Sequence, residues 1–176
     1  MDEVLAVWNA RGAEDAVSEL LPCCGSRAWA AAVVARRPLH TQDALFRAAD
    51  EAWSSAGRED WIEAFACHPR IGERARAAGA EAQFARWSEQ EQAGARGADG
   101  EVHRALAEGN RLYEERFGFT YIVCATGKSA EEMLGILKRR LQNDAASEIG
   151  EAAEQQRLIT RLRLAKWLGA AQGSGA

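Results

Sequence analysis

The sequence predicts an all-α domain, on three observations. Apolar residues recur at helical spacing through most of the chain, and Gly, Pro or capping residues separate the periodic stretches. One run, Phe119–Ala125, has strong strand propensity, but no comparable second run exists to pair with it. The 176 residues, 47% hydrophobic and 27% charged, suit a single globular domain. We therefore expect one domain of about seven to nine helices with one extended segment, over residues 1–170, and a flexible tail at 171–176.

The first half of the chain is predicted to form short helices. Their expected spans are Asp2–Ala10, Ala13–Leu21, Arg27–Arg36, a helix opened by Thr41 and closed by Ser54–Gly57, and Asp60–Ala66. Pro22 should end the second helix, because proline lacks an N–H and clashes with the preceding turn. Ser26 and Thr41 are typical N-caps, and should begin the third and fourth helices.

The second half is predicted to hold longer helices. Their expected spans are a helix that begins at Trp87–Gln92, then Glu101–Arg116, Glu131–Asn143 and Ser147–Leu168. Glu73–Phe84 is weakly patterned and is interpreted as a loop that contains one helical turn. Ser129 and Glu132 have the spacing of a capping box, and Gly118 suits the C′ position after a helix.

Charge and composition narrow the classes of function. The formal net charge is −4 and the sequence pI about 5.5, which argues against broad nucleic-acid binding. No apolar run approaches the ~20 residues of a membrane span, and the Met-Asp-Glu start does not resemble a signal peptide. We therefore expect a cytoplasmic protein that binds neither nucleic acid nor membrane. A local anion site remains open, since arginines cluster at Arg36-Arg37, Arg139-Arg140 and Arg157/Arg161/Arg163.

The cysteines do not indicate a metal site. The chain has four of them, Cys23, Cys24, Cys67 and Cys124, and none lies in a C-x-x-C pattern. We expect no metal and reduced thiols, as is usual in the cytoplasm.

His68 is the first candidate functional residue. It directly precedes Pro69, which disfavours the helical conformation for His68. A helix over Asp60–Ala66 should therefore stop near the imidazole. The helix dipole favours a protonated ring at that end, an arrangement suited to proton transfer near neutral pH. The alternative is a helix stop that carries a surface histidine.

Two further stretches attract attention. Ser88 and Glu91 also have capping-box spacing, which would explain Glu91 structurally if a helix begins there. Phe119–Ala125 has no strand partner, so its backbone N–H groups must find side chains, water or a ligand.

Several motifs, in order, resemble the OHCU decarboxylase family of urate degradation. They are His68-Pro69-Arg70-Ile71-Gly72, Ser88–Gln92, Phe117–Ile122, Gly127-Lys128-Ser129 with Leu137–Asp144, and Arg161-Leu162-Arg163-Leu164, and Cys23–Trp29 also resembles the family's N-terminal pattern. Any one motif is weak, but five in the same order are specific. The resemblance covers nearly the whole chain.

The resemblance implies an all-α enzyme, commonly a homodimer, that uses no metal or organic cofactor. Its reaction would be decarboxylation of 2-oxo-4-hydroxy-4-carboxy-5-ureidoimidazoline to (S)-allantoin. The implied catalytic residues are His68, Glu91 and Arg163, with Arg161 as the alternative register for the arginine. The implied substrate-binding residues are Pro69, Ser88, Gln92, Ile122, Val123, Cys124, Ala125 and Thr126.

These residue types suit a decarboxylation. Loss of CO₂ leaves negative charge on a ring carbon, which donors placed at that charge stabilise. His68 can move a proton, Glu91 can accept hydrogen bonds from ring or ureido N–H groups, and Arg163 can hold an anionic oxygen. A second hypothesis is a helical binding module that keeps the fold without the activity and docks to other urate-pathway enzymes. The His68/Glu91 pair argues against it.

Overall fold

The described part of the chain is helical. The computed structural model describes residues 3–71, 80–91, 93 and 100–172, and within these ranges it contains nine helices and no strand. The helices are α1 Glu3–Ala10, α2 Ala13–Cys24, α3 Arg27–Val34, α4 Gln42–Ser54, α5 Arg58–Ala66, α6 Ala80–Glu91, α7 Gly100–Phe117, α8 Ala130–Arg140 and α9 Ala145–Gln172. The predicted all-α class is confirmed.

The chain forms two compact units. Unit 1 comprises Met1–Ala64 with Arg157–Ala176, and unit 2 comprises Phe65–Gln156, so that α5 and α9 contribute to both. The predicted domain 1–170 and tail 171–176 stay predictions. Helix α9 extends to Gln172, and residues 173–176 lie outside the described residues.

Unit 1 has a core anchored by tryptophans. Trp8 and Trp29 are each 1% exposed, and their indole N–H groups donate to the carbonyl oxygens of Ala16 and Ala49, at 3.1 and 3.0 Å. Buried indoles keep their apolar area out of water without losing a hydrogen bond. The Trp8 ring also meets Trp167 of α9 edge to face, with centroids 5.9 Å apart.

The N-caps predicted at Ser26 and Thr41 are present, but the helix end predicted at Pro22 is wrong. Ser26 Oγ accepts from the Trp29 amide at 3.2 Å, and Thr41 Oγ1 accepts from the Ala44 amide at 3.1 Å. Helix α2 continues through Pro22 to Cys24, where left-handed Gly25 ends it. Pro22 is buried in the last turn, and the burial of its ring offsets the helical hydrogen bond that its missing N–H removes.

Helix α6 also differs from expectation. Residues 80–84, predicted as loop, are helical, and α6 ends at Glu91 where a new helix was expected to begin. The remainder of that predicted loop, at 73–79, lies outside the described residues.

In unit 2, the extended run after α7 is fixed by side-chain packing. Gly118, with φ +78°, ends α7 as predicted, and its amide donates to the Glu114 carbonyl at 2.8 Å. Phe119 and Tyr121, two residues apart and therefore on one side of an extended chain, both pack on Tyr113, with centroids 5.6 and 5.2 Å from its ring. Aromatic packing thus holds the extended run in place without a neighbouring strand.

A buried ionic cluster lies against the same run. The Arg140 guanidinium is 2% exposed and donates to the Ile122 carbonyl at 2.6 Å and, through Nε, to Glu148 Oε1 at 2.8 Å. Tyr113 donates its hydroxyl to Glu148, and Asn143 donates to the second carboxylate oxygen at 2.7 Å. Burial raises the pKa of Tyr113, which keeps the phenol a donor. Because each member has partners, the cluster holds the peptide after Ile122 in place.

None of the helices among the described residues has both the length and the apolar character that crossing a bilayer requires.

Candidate active site

His68 lies just beyond the end of α5, as predicted from Pro69. Helix α5 ends at Ala66, and the His68 amide makes a last turn to the Phe65 carbonyl at 3.1 Å. The imidazole is half-buried, and its Nε2 lies 2.8 Å from Oε1 of Gln156 on α9. The ring is therefore held from a helix distant in sequence, which a surface histidine at a helix stop would not need.

The backbone that follows His68 is fastened to α7. Arg70 donates to both carboxylate oxygens of Glu114, at 2.8 and 2.6 Å, and Asn110 donates to the Ile71 carbonyl at 3.1 Å. The hydrogen bond from Arg70 lowers the pKa of Glu114, which keeps the pair ionised at neutral pH. Pro69, between these contacts and His68, is half-buried.

The extended segment lies beside the same corner of unit 2. Phe65, three residues before His68, packs on Phe119 with ring centroids 5.4 Å apart. Ile122, Val123 and Ala125 are buried, Cys124 is half-buried and Thr126 is exposed.

Protein groups already bind part of the segment's backbone. The Cys124 amide donates to Gln155 Oε1 at 3.0 Å, and Lys128 Nζ donates to the Cys124 carbonyl at 2.7 Å. The Ala125 carbonyl accepts from the Lys128 amide at 3.0 Å, closing a turn at Gly127, whose φ is +79°. The prediction that side chains satisfy unpaired amides is confirmed at Cys124.

Glu91 and Ser88 are buried at the end of α6. Ser88 is 1% exposed and Glu91 8%. The predicted capping box is wrong, because both residues lie in the last turn of the helix and a cap acts at the first. A helix C-terminus disfavours negative charge, and burial disfavours it further. Capping of α6 therefore does not explain a glutamate here. Gln92, predicted to bind substrate beside them, lies outside the described residues.

The two candidate arginines of unit 1 differ sharply. Arg161 forms an ion pair with Asp50 at 2.6 Å, stacks over the Phe46 ring at 4.7 Å and keeps 38% of its side chain exposed. Arg163 is fully buried, and its guanidinium reaches the Pro22 carbonyl at 3.4 Å. Of the two registers, Arg163 is therefore the better candidate for an internal anion ligand.

The sequence reasoning missed two glutamines. Gln155 and Gln156 are adjacent on α9, yet one binds the extended segment and the other binds His68. The available signal was a pair of amides in the middle of an apolar helical pattern, where polar residues need partners.

Comparison with known proteins gives a consistent picture. The family model described as OHCU decarboxylase matches residues 9–165. The chain is 39% identical over 145 residues to the uric acid degradation bifunctional protein TTL of Arabidopsis thaliana, which covers 82% of the chain and 44% of that longer protein. It is 35% identical over 138 residues to the 2-oxo-4-hydroxy-4-carboxy-5-ureidoimidazoline decarboxylase of Amia calva, covering 77% of each. A solved structure of OHCU decarboxylase in the presence of (S)-allantoin matches with a TM-score of 0.74 and 33% identity, over 86% of this chain and 98% of that one.

Proposed function

The chain belongs to the OHCU decarboxylase family, and we propose that it converts 2-oxo-4-hydroxy-4-carboxy-5-ureidoimidazoline to (S)-allantoin and CO₂ without a cofactor. The observation that carries the proposal is the His-Pro corner, which lies in the matched region with its imidazole held by a buried partner. The chain spans less than half of the bifunctional Arabidopsis relative, so the proposal concerns the decarboxylase activity alone.

The reaction requires stabilisation of an electron pair and delivery of a proton. When the bond to the carboxylate breaks, its electron pair passes into the ring towards a neighbouring carbonyl or imine, and CO₂ leaves. A proton then adds to a ring carbon, and its delivery from one face gives a single enantiomer. We assign the proton transfer to His68, whose ring is half-buried and fixed.

Glu91 and Arg163 are proposed to hold the substrate. Glu91 would accept hydrogen bonds from ring or ureido N–H groups, with Ser88, Gln92 and Pro69 as further substrate ligands. Glu91 is buried in the last turn of α6, where a carboxylate cannot serve as an N-cap, which supports a role in binding or catalysis. Arg163 would bind an anionic oxygen through its guanidinium.

We propose the amides of Val123 and Ala125 as donors to the developing charge. Successive amides of an extended chain point to opposite sides. The Cys124 amide points to Gln155, so its two neighbours point away from that glutamine. Ile122 and Thr126 would frame this stretch, and Arg140 fixes it from the other side through the Ile122 carbonyl.

The experiment is to form the substrate in place and follow optical activity. Urate oxidase and hydroxyisourate hydrolase generate it from urate, and the protein should accelerate the formation of (S)-allantoin over buffer. His68→Ala should reduce the rate by roughly 10²–10⁴-fold, the usual contribution of a positioned acid or base. His40→Ala is the matched control, because His40 is exposed and outside the proposed site.

Two outcomes would contradict the proposal. Wild-type protein that does not accelerate the reaction would leave the inactive binding module as the better hypothesis. Equal rates for His68→Ala and wild type would remove His68 from its role.

We also propose a cytoplasmic homodimer. The support is the family membership, together with four cysteines that form no disulfide bond. Light scattering on the purified protein tests the dimer, and a single-chain mass of 19.2 kDa would contradict it.

A further inference from the structure

Gln156 is a buried polar residue without a role in the chemistry proposed above. Its side chain is fully buried on α9, and its Oε1 lies 2.8 Å from His68 Nε2 across 88 residues of sequence. Burying an amide is costly unless it is hydrogen-bonded. An apolar residue would have packed at this position without that requirement.

We propose that Gln156 is a positioning residue, which accepts a hydrogen bond from Nε2–H of His68 and thereby fixes both the ring orientation and the ring nitrogen that carries the proton. The inference rests on the proposed function, since it concerns how His68 is prepared for proton transfer.

Two contacts at this corner hold the backbone rather than the ring. Arg70–Glu114 and Asn110–Ile71 hold the backbone after His68, but they leave the two side-chain torsions of the imidazole undetermined. Gln156 supplies a contact at the tip of the ring. The backbone and the side chain of His68 are thus held from α7 and from α9.

The hydrogen bond also selects a tautomer. A neutral imidazole has one N–H and one lone pair, and the partner of one nitrogen decides which is which. With Nε2–H donated to Oε1 of Gln156, the lone pair lies on Nδ1. A proton taken up by neutral His68 is therefore taken up at Nδ1 and released from there.

The amide of Gln156 differs from a carboxylate in carrying no charge. A carboxylate at the same position would also orient the ring, but its charge would favour the imidazolium. Glutamine orients His68 without adding that charge, so the ring can both accept and return a proton. The ion pair of Arg70 with Glu114 is internally neutralised.

Gln155 shows that the role is particular to Gln156. Consecutive residues of a helix point about 100° apart. Gln155 accordingly reaches the Cys124 amide and Glu151, whereas Gln156 reaches His68.

The test combines nitrogen NMR of the imidazoles with steady-state kinetics. The chain has three histidines, so His68 can be assigned by comparing wild type with His68→Ala. We expect wild-type His68, when neutral, to carry its proton on Nε2. Gln156→Met, which keeps the length of the side chain without the amide, should mix the tautomers and lower kcat about tenfold, the scale of one hydrogen bond, with little change in KM.

Gln156→Glu provides the second variant. The new carboxylate should raise the pKa of His68 by roughly one to three units, since an opposite charge within hydrogen-bond distance favours the charged ring. The acidic limb of the kcat profile should move to higher pH by the same amount. Gln42→Glu is the matched control, because Gln42 is exposed on α4 and the same change there should leave the His68 spectrum and the profile unmoved.

The outcomes separate this inference from the proposed function. An Nδ1-protonated wild-type ring, a His68 spectrum unchanged in both variants, or a loss confined to KM would each overturn the positioning role. An inactive wild type with the expected spectra would overturn the proposed function and leave the contact itself confirmed. Melting curves followed by circular dichroism establish that each variant is folded, and Gln156→Glu decides the question if Gln156→Met does not fold.

Discussion

Two Ser-x-x-Glu motifs of the same spacing have opposite positions in their helices. Ser129–Glu132 begins α8, where Ser129 Oγ accepts from the Glu132 amide at 3.2 Å and Glu132 accepts from the Ser129 amide at 2.7 Å. Ser88–Glu91 lies in the last turn of α6. Glu132 is exposed, whereas Glu91 is 8% exposed.

The helix end decides what each glutamate does. At a helix N-terminus a carboxylate binds otherwise unpaired amides and is favoured by the dipole, so Glu132 stabilises its helix. At the C-terminus the dipole is reversed and the amides are already paired, so Glu91 cannot cap its helix as Glu132 does. The same local pattern is structural in one place and, we propose, functional in the other.

The largest expected effect is on Glu91. Glu91→Gln should lower kcat/KM for the ureidoimidazoline by about 10²-fold or more, because it replaces one of two acceptor oxygens with a donor and makes the remaining oxygen a weaker acceptor. The free energy of unfolding should change little, because glutamine keeps the size and shape of the side chain. Coupled-assay kinetics and urea unfolding on one preparation measure both quantities.

Glu132→Gln is the control for Glu91→Gln, because it makes the same change in the matching motif. It should leave kcat/KM unchanged and weaken the cap of α8. If Glu91→Gln instead lowers stability while kcat/KM is retained, the proposed functional assignment of Glu91 is wrong.

Local chemistry explains why many helix ends were predictable. Ser26, Thr41 and Ser129 cap their helices and Gly118 ends α7, each through a bond to a residue three or four positions away. Such contacts depend on a few neighbouring side chains, which the sequence displays directly.

The errors arise where distant packing outweighs the local signal. Helix α6 keeps Ser88 inside its last turn despite a capping-box spacing, and Trp87 and Ser88 are both buried there. Helix α2 continues past Pro22 because that turn is in the core and Gly25 supplies a stop. Neither burial pattern can be read from a short window of sequence.

The candidate site was predictable to different degrees. His68 follows from Pro69, since the restriction on the preceding residue is local. Its partner Gln156 does not, because the contact joins residues 88 positions apart. The assignment of Glu91 came from the family resemblance, and the structure removes the capping explanation that competed with it.

The next largest effect is a difference between alanine substitutions of the two serines, Ser129 and Ser88. Ser129→Ala should cost about 1 kcal/mol of unfolding free energy, the usual loss for an N-cap, and leave activity unchanged. Ser88→Ala should show the reverse. Its KM should change, and its unfolding free energy should fall by less than that of Ser129→Ala, because Ser88 does not cap α6. Urea midpoints and KM values for the pair measure this, and equal stability losses would mean that the helix end does not separate the motifs.

The smallest expected effect is a pH dependence of stability that comes from the residue directly before the glutamate of each motif. Glu131 of α8 has a pKa below its ordinary 4.5, because it accepts hydrogen bonds from its own backbone amide and from Ser129. A lowered pKa in the folded state stabilises the protein fully above the unfolded value and loses that contribution as pH falls through the folded one. The stability gap between wild type and Glu131→Gln should therefore be constant above about pH 5 and shrink below pH 4.5.

The matching position in α6 is Gln90, which is exposed, and Gln90→Glu is the corresponding control. A carboxylate at that helix C-terminus should not stabilise the protein at any pH, because the dipole there opposes negative charge. Thermal midpoints between pH 3 and 7 for the two variants measure the contrast. A gap for Glu131→Gln that widens on acidification, or a gain in stability from Gln90→Glu at neutral pH, would contradict the view that helix position alone gives these two motifs their different roles.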